Sequence, residues 1–274
     1  MQLGYNTSGF AFHRLDDALD IIAETGYSCV ALTLDVHHFD PFRATPADVR
    51  DLRAKLRALK LSCVIETGAR FLLDAKNKHR PTLLDADSAR RVEFLHRAID
   101  ICAELEGECV SYWSGARPEN SPPDRELYRR LSGHVDALET YARQRGVRLA
   151  FEPEPGFLIE TMRDFDSLCD LVGHPIGLTL DIGHLQCVES EPPHAFIAKY
   201  ASTLINVQLD DMKYHEHKHL MFGEGEVDFP PVFAALNAIA YAGPACVELS
   251  DASRAAVESA RRAYEFLAGH RIRS

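Results

Sequence analysis

Short aliphatic runs alternate with helix-patterned stretches eight times along this chain, and that rhythm leaves few architectures open. The strand candidates are Leu3–Asn6, Cys29–Leu34, Ser62–Glu66, Cys109–Tyr112, Arg148–Glu152, Gly177–Asp181, Ile205–Leu209 and Ala245–Leu249. The helix candidates that follow them are Arg14–Thr25, Pro46–Leu59, Ser88–Leu105, Asp124–Arg145, Met162–Val172, Pro193–Tyr200, Pro230–Ala240 and Ala252–Leu267. Runs this short and this rich in Val, Ile and Leu suit strands buried on both faces. Gly26, Gly107, Gly146, Gly173, Gly243 and Gly269 fall just past a helical pattern, where a left-handed cap favours glycine. Pro46, Pro193 and Pro230 stand near helix starts, where a missing N–H does no harm. Eight alternations suit an α/β fold closed into a (β/α)8 (TIM) barrel better than an open sheet. Barrels of this kind commonly use about 250 residues in one domain. No linker or composition break divides the 274 residues, so 1–274 reads as one domain.

Four of the runs end on a residue able to bind a metal through oxygen. Val147–Phe151 leads into Glu152, Ile176–Leu180 into Asp181, Leu204–Val207 into Gln208, and Ala245–Val247 into Glu248. In a parallel barrel the carboxyl ends of the strands open onto one face, so four such groups would meet around one point. Three carboxylates about 4 Å apart repel by roughly 4 kcal/mol per pair at an effective dielectric near 20. A divalent cation reverses that sign. Hard oxygen donors favour Mn²⁺ or Mg²⁺ over zinc. The competing reading has these carboxylates capping helices or pairing with loop cations.

Two connections exceed ordinary turns, Thr67–Asp87 after the third strand and Asp210–Phe229 after the seventh. Both follow strands and so belong to the same face, where long loops tend to be functional. The first carries Arg70, Lys76, Lys78, His79 and Arg80, which suit a phosphate or carboxylate on a substrate or simply a solvated surface. In the second, His215, His217 and His219 alternate with charged residues, as an extended segment showing all three on one side would. His37, His38 and Trp113 also follow strands, and Trp113 would make an apolar wall for a sugar ring or merely pack.

With 30 Lys and Arg against 41 Asp and Glu, the formal charge is −11. That disfavours a nucleic-acid partner, which requires many cationic contacts. No stretch is apolar for long enough to span a membrane, and Met1-Gln2-Leu3-Gly4-Tyr5 lacks the basic start of a signal peptide. Seven cysteines without C-x-x-C spacing read as free thiols in a reducing cytoplasm. The composition suits a small-molecule partner and leaves homo-oligomerisation open.

At the strand ends the chain resembles the xylose isomerase-like TIM-barrel superfamily of sugar-phosphate isomerases, ketose 3-epimerases, hydroxypyruvate isomerase and endonuclease IV. The resemblance rests on Phe151-Glu152-Pro153-Glu154-Pro155-Gly156, Leu180-Asp181-Ile182-Gly183-His184, Val207-Gln208-Leu209-Asp210-Asp211, Gly223-Glu224-Gly225-Glu226-Val227-Asp228-Phe229 and Val247-Glu248-Leu249. It covers the second half; the first half matches mainly in its strand–helix rhythm. It implies one metal held by Glu152, Asp181, Glu248 and the seventh-strand position, where Gln208 replaces the usual His. Dehydroshikimate dehydratase-like members are similar in carrying Gln there.

The resemblance further implies that Glu152 and Glu248 move protons beside the metal through an enediolate. His184 and Glu154 are expected to contact substrate, as are Lys218 or His219. The expected activity is therefore metal-dependent isomerisation or epimerisation of a sugar, sugar phosphate or related hydroxyketone. Dehydroshikimate-like dehydration and a non-catalytic metabolite-binding barrel are the alternatives. An endonuclease IV-like activity fits less well, because the fourth strand ends in Ser111-Tyr112-Trp113-Ser114 without a histidine and the charge opposes DNA.

Overall fold

The computed structural model describes residues 1–270. Eight parallel strands close into a barrel: β1 Gln2–Asn6, β2 Cys29–Thr33, β3 Ser62–Glu66, β4 Cys109–Tyr112, β5 Leu149–Phe151, β6 Leu178–Asp181, β7 Leu204–Leu209 and β10 Pro244–Val247. Between β7 and β10 the chain adds an antiparallel hairpin, β8 Asp211–Lys213 and β9 Glu216–Leu220. The helices are α1 Leu15–Thr25, α2 Pro46–Leu59, α3 Ala89–Leu105, α4 Asp124–Arg143, α5 Met162–Val172, α6 Ile182–Val188, α7 Pro193–Lys199, α8 Phe229–Ala238 and α9 Ala256–Gly269. The expected barrel is thus the observed fold. The last four residues of the 1–274 domain lie outside the described residues.

Every expected strand and helix forms, with ends displaced by a few residues. The hairpin, α6 and a 3₁₀ helix at Thr7–Phe10 were not anticipated. Asp181 ends β6 and at once caps α6, its Oδ1 accepting the His184 amide N–H at 2.8 Å. A side-chain acceptor there satisfies one of the orphan donors of a helix start. Thr45 with Asp48 and Thr161 with Asp164 form reciprocal capping boxes on α2 and α5. Gly26, Gly146 and Gly173 take the left-handed conformation, but after α3, which ends at Leu105 as expected, Glu106 rather than Gly107 adopts it. Likewise Ala240, rather than Gly243, is left-handed after α8, and Gly269 closes α9 as a helical residue.

Strand periodicity sorts the side chains. Outward residues such as Leu32, Ile65, Val110, Phe151, Leu180 and Val207 join the large apolar cluster beneath the helices. Inward residues Cys29, Ala31, Val64, Cys109, Ala150 and Cys246 make a second, compact core inside the barrel. Crowding there is severe: a Cβ on Gly4 would overlap Cys246 Sγ. All seven cysteines are free thiols, six of them buried.

Two residues further along each strand, the same parity turns polar. Asn6, Thr33, Glu66, Ser111, Glu152, Asp181, Gln208 and Glu248 contribute one side chain per strand to a ring at the carboxyl end of the barrel. That ring, standing on an apolar plug, is where the chemistry concentrates.

Candidate active site and metal centre

A cavity of about 280 Å³ opens above the ring, with Glu66, Glu152 and Glu248 in its wall. All five expected substrate contacts line it: Trp113, Glu154, His184, Lys218 and His219. Asp181 and Gln208 are fully buried beneath it. Arg70, Lys78 and His79 from the first long loop also line the cavity. Lys76 and Arg80 of that loop do not; Arg80 is spent on Asp85, at 2.9 Å, and on the Arg117 carbonyl. His37 and His38 likewise lie outside the cavity wall.

The ligand geometry supports one compact cluster. Carboxylate and imidazole atoms of Glu152, Asp181 and His184 all lie within 4.8 Å of one another. So do those of Asp181, Asp210 and His219, and those of His184, His217 and His219. Glu248 belongs to none of these three sets and lines the cavity wall. Asp181 Oδ1 is used by the helix cap, leaving Oδ2 buried without a hydrogen-bond partner; Gln208 Oε1 and His184 Nε2 are in the same state. Buried polar atoms are ordinarily satisfied. Orphaned donor atoms on two neighbouring strands, beside carboxylates, are what a cation site requires. The residues present therefore fit a divalent ion.

Gln208 points its oxygen that way for a physical reason. Its Nε2 donates to Glu66 Oε1 at 2.5 Å. Glu66 Oε1 takes the NH₂ end of the amide, which turns the amide oxygen away from Glu66. Glu66 was not anticipated, although it too ends an apolar run, Cys63–Ile65. Ser111 Oγ supports Glu152 Oε2 at 3.2 Å and meets Thr179 Oγ1 at 2.9 Å. Asn6 hydrogen-bonds Glu248 and lowers its pKa against a larger upward push from burial.

Electrostatics express the crowding. Burial, then neighbouring carboxylates, raises the pKa of Glu66 and Glu152 well above the usual carboxylate range. Burial and Glu248 bring Glu154 to about 8, with His219 and Lys78 pulling it back. Burial lowers His184, and together with His184 it holds His217 near 3. His219 goes the other way: burial opposes its charge, yet the Asp210 carboxylate, 2.6 Å from Nδ1, lifts it to about 10.

Asp210 comes this close because residue 183 is glycine; a Cβ there would overlap Asp210 Oδ1. Asp211 accepts from the amides of Gly223, Gly225 and Val227 at 2.8–3.0 Å, folding the G-E-G-E-V-D turn against the hairpin. On that hairpin His217 and His219 face the cavity, whereas His215 occupies the turn at φ 61° and packs on Tyr214. The expectation that all three share a side is corrected: the strand begins only at Glu216.

Trp113 is a cavity wall held from behind. Its ring meets Phe157 edge-on, with centroids 5.0 Å apart, and lies 4.5 Å from the Arg91 guanidinium.

Comparison with known proteins agrees with this architecture. A family model described as "Xylose isomerase-like TIM barrel" matches residues 19–270, and the chain belongs to that family. It is 25% identical over 285 residues to the uncharacterized protein MJ1311 of Methanocaldococcus jannaschii, covering 97% of this chain and 89% of that one. It is 26% identical over 198 residues to the L-ribulose-5-phosphate 3-epimerase UlaE of Shigella flexneri, covering 70% and 69%. It is also 27% identical over 143 residues to an inosose dehydratase of Clostridium perfringens, covering 46% and 48%. Among solved structures, a D-tagatose 3-epimerase-like protein superposes with TM-score 0.78 at 22% identity, covering 98% of this chain and 97% of that one. An IOLI protein with a bound zinc atom gives TM-score 0.78 at 16% identity, with the same coverage. These structural likenesses are in fold. No helix of the described residues is long and apolar enough to cross a membrane.

Proposed function

We propose that the chain is a divalent-metal-dependent epimerase or isomerase of a sugar, sugar phosphate or related hydroxyketone. The observation carrying this is that Asp181 Oδ2 and Gln208 Oε1, on paired strands, are buried without a hydrogen-bond partner beside a cavity walled by Glu152 and Glu248. Glu152, Asp181, Gln208 and Glu248 would hold the ion, and their oxygen chemistry favours Mn²⁺ or Mg²⁺. When bound, such an ion supplies Lewis acidity that acidifies a proton beside a carbonyl.

The protein's own part is to place and move protons. Glu152 and Glu248 rise from β5 and β10, three positions apart around an eight-stranded ring, so they address a bound molecule from different sides. Burial raises the pKa of both, towards the range where one carboxyl can take a carbon-bound proton and its counterpart can return one. His184 and Glu154 are placed to orient hydroxyls, and the half-buried His219 imidazolium to hold a developing negative oxygen. Trp113 keeps one side of the cavity apolar.

A dehydration by the same groups is the second reading, favoured by Gln208 at the seventh strand and by the inosose dehydratase relative. Solvent exchange separates them. Incubated with Mn²⁺ in D₂O, the enzyme is expected to place deuterium on a carbon next to the carbonyl of a ketose, in a panel of D-fructose, D-tagatose and L-ribulose 5-phosphate. Absence of exchange across the panel, with ultraviolet absorbance from a new conjugated alkene on a cyclic keto-polyol, would assign the lyase instead.

A further inference from the structure

We infer that the mouth of the cavity carries an anion subsite, formed by Arg70, Lys78 and Lys218, that selects substrates bearing a phosphate or carboxylate. The inference rests on the reading above only in placing the reacting end of the substrate at the strand-end carboxylates; it names the group held at the far end.

The cations come from two separate loops and line one cavity. Arg70 and Lys78 belong to the segment after β3, Lys218 to the β8–β9 hairpin, and all three line the cavity. Neither lysine forms an ion pair among the described residues. Arg70 is only loosely engaged, its Nε 3.8 Å from Asp35 Oδ2 and its Nη2 3.4 Å from the Ser8 carbonyl. Its planar fork retains the geometry for a bidentate oxyanion contact. Lys78 also draws down the pKa of Glu154, and Arg70 that of Glu248, but neither cation is in ion-pair contact with those carboxylates.

The loop is also built to hold them in place. Buried Arg91 donates to the carbonyls of Thr67, His79 and Pro81 at 3.1, 3.0 and 2.9 Å, clamping both ends of the segment. The His79 amide reaches the Arg70 carbonyl at 2.6 Å, and His79 Nδ1 contacts the Gly68 carbonyl at 2.8 Å. Arg70 and Lys78 therefore flank a closed, preorganised loop, which reduces the ordering cost of binding. In a chain of net charge −11, with Glu66, Glu152 and Glu248 in the same cavity, an anionic substrate would be repelled without such a patch. A cavity of about 280 Å³, lined by both the carboxylates and these cations, suits a small molecule that meets the two sets together.

The test is calorimetric titration of the Mn²⁺-loaded full chain with D-ribulose, D-ribulose 5-phosphate, D-ribonate and inorganic phosphate. The charged sugars are expected to bind at least tenfold tighter than D-ribulose. Whichever of phosphate or carboxylate binds better identifies the group served. K78A, K218A and R70Q should each erase most of that preference, whereas K76A, on the same loop but outside the cavity, should keep it. If a variant fails to fold, the wild-type preference and its loss in rising NaCl remain decisive. Equal affinity for D-ribulose and its phosphate, or a preference that survives all three substitutions, overturns the inference. Because binding is read without turnover, tight anion binding with no proton exchange would sink the epimerase reading alone. Exchange on neutral ketoses without charge preference would sink the subsite alone.

Discussion

A carboxylate behind a neighbouring amide decides how that amide faces. Glu66 fixes the Gln208 amide by taking its nitrogen, and the oxygen is left without a hydrogen-bond partner. Partners behind metal ligands typically change affinity by about 10–100-fold when removed. Glu66→Leu is therefore expected to weaken Mn²⁺ binding by that order in calorimetry, with an unchanged circular dichroism spectrum; full retention of affinity would mean Gln208 needs no such support. Glu152→Gln and Glu248→Gln should each slow deuterium exchange by roughly 10²–10⁴-fold, the usual contribution of a positioned acid or base. Exchange at the parental rate in either variant would remove that carboxylate from proton transfer. The four run-ending residues were legible because burial next to an aliphatic strand is costly for a charge. Glu66 obeys the same rule, but the motifs crowd into the second half of the chain and draw attention away from β3. The Asp210–His219 pair was not legible, since it depends on a hairpin bringing residues nine apart face to face.

Among the elements, the segment 67–81 depends most on one side chain. Arg91 satisfies three of its carbonyls and stacks on Trp113. Arg91→Leu leaves those carbonyls unpaired, and hydrogen bonds from a charged donor contribute about 1.5–3 kcal/mol each, non-additively. We expect a stability loss of roughly 3–5 kcal/mol in urea denaturation, together with faster proteolysis between residues 68 and 81. A variant as stable and protease-resistant as the parent would show that the loop is held by other contacts. Barrel strands and helices were readable because aliphatic runs and glycine or proline punctuation report directly on burial and caps. The hairpin was not, because β9 is Glu-His-Lys-His-Leu, polar and half-exposed, with no apolar face to betray it. The α6 helix was hidden because Asp181 serves as both strand end and helix cap.

The whole molecule carries a concentrated negative charge that burial makes expensive. Glu154 moves from 4.5 to about 8 and His219 from 6.5 to about 10, and Glu66 and Glu152 are raised as well. Groups with raised folded pKa hold protons that the unfolded chain has already lost, so stability falls as pH rises through that window. His79, near 4, and His217, near 3, act oppositely, but only below their unfolded value of 6.5. Between pH 6.5 and 8 the metal-free protein should therefore lose stability as pH rises, on the order of 5 °C in Tm. Excess Mn²⁺ should reverse the trend, because ion binding favours the deprotonated carboxylates. A Tm that is flat or rising without metal over this interval would contradict the assigned charge cluster. The most direct measurement of the central claim is anomalous X-ray scattering at the manganese edge from Mn²⁺-soaked crystals. The account requires one strong peak per chain, within about 2.5 Å of oxygens from Glu152, Asp181, Gln208 and Glu248. No peak at these strand ends, or a peak held only by His184, His217 and His219, would contradict it.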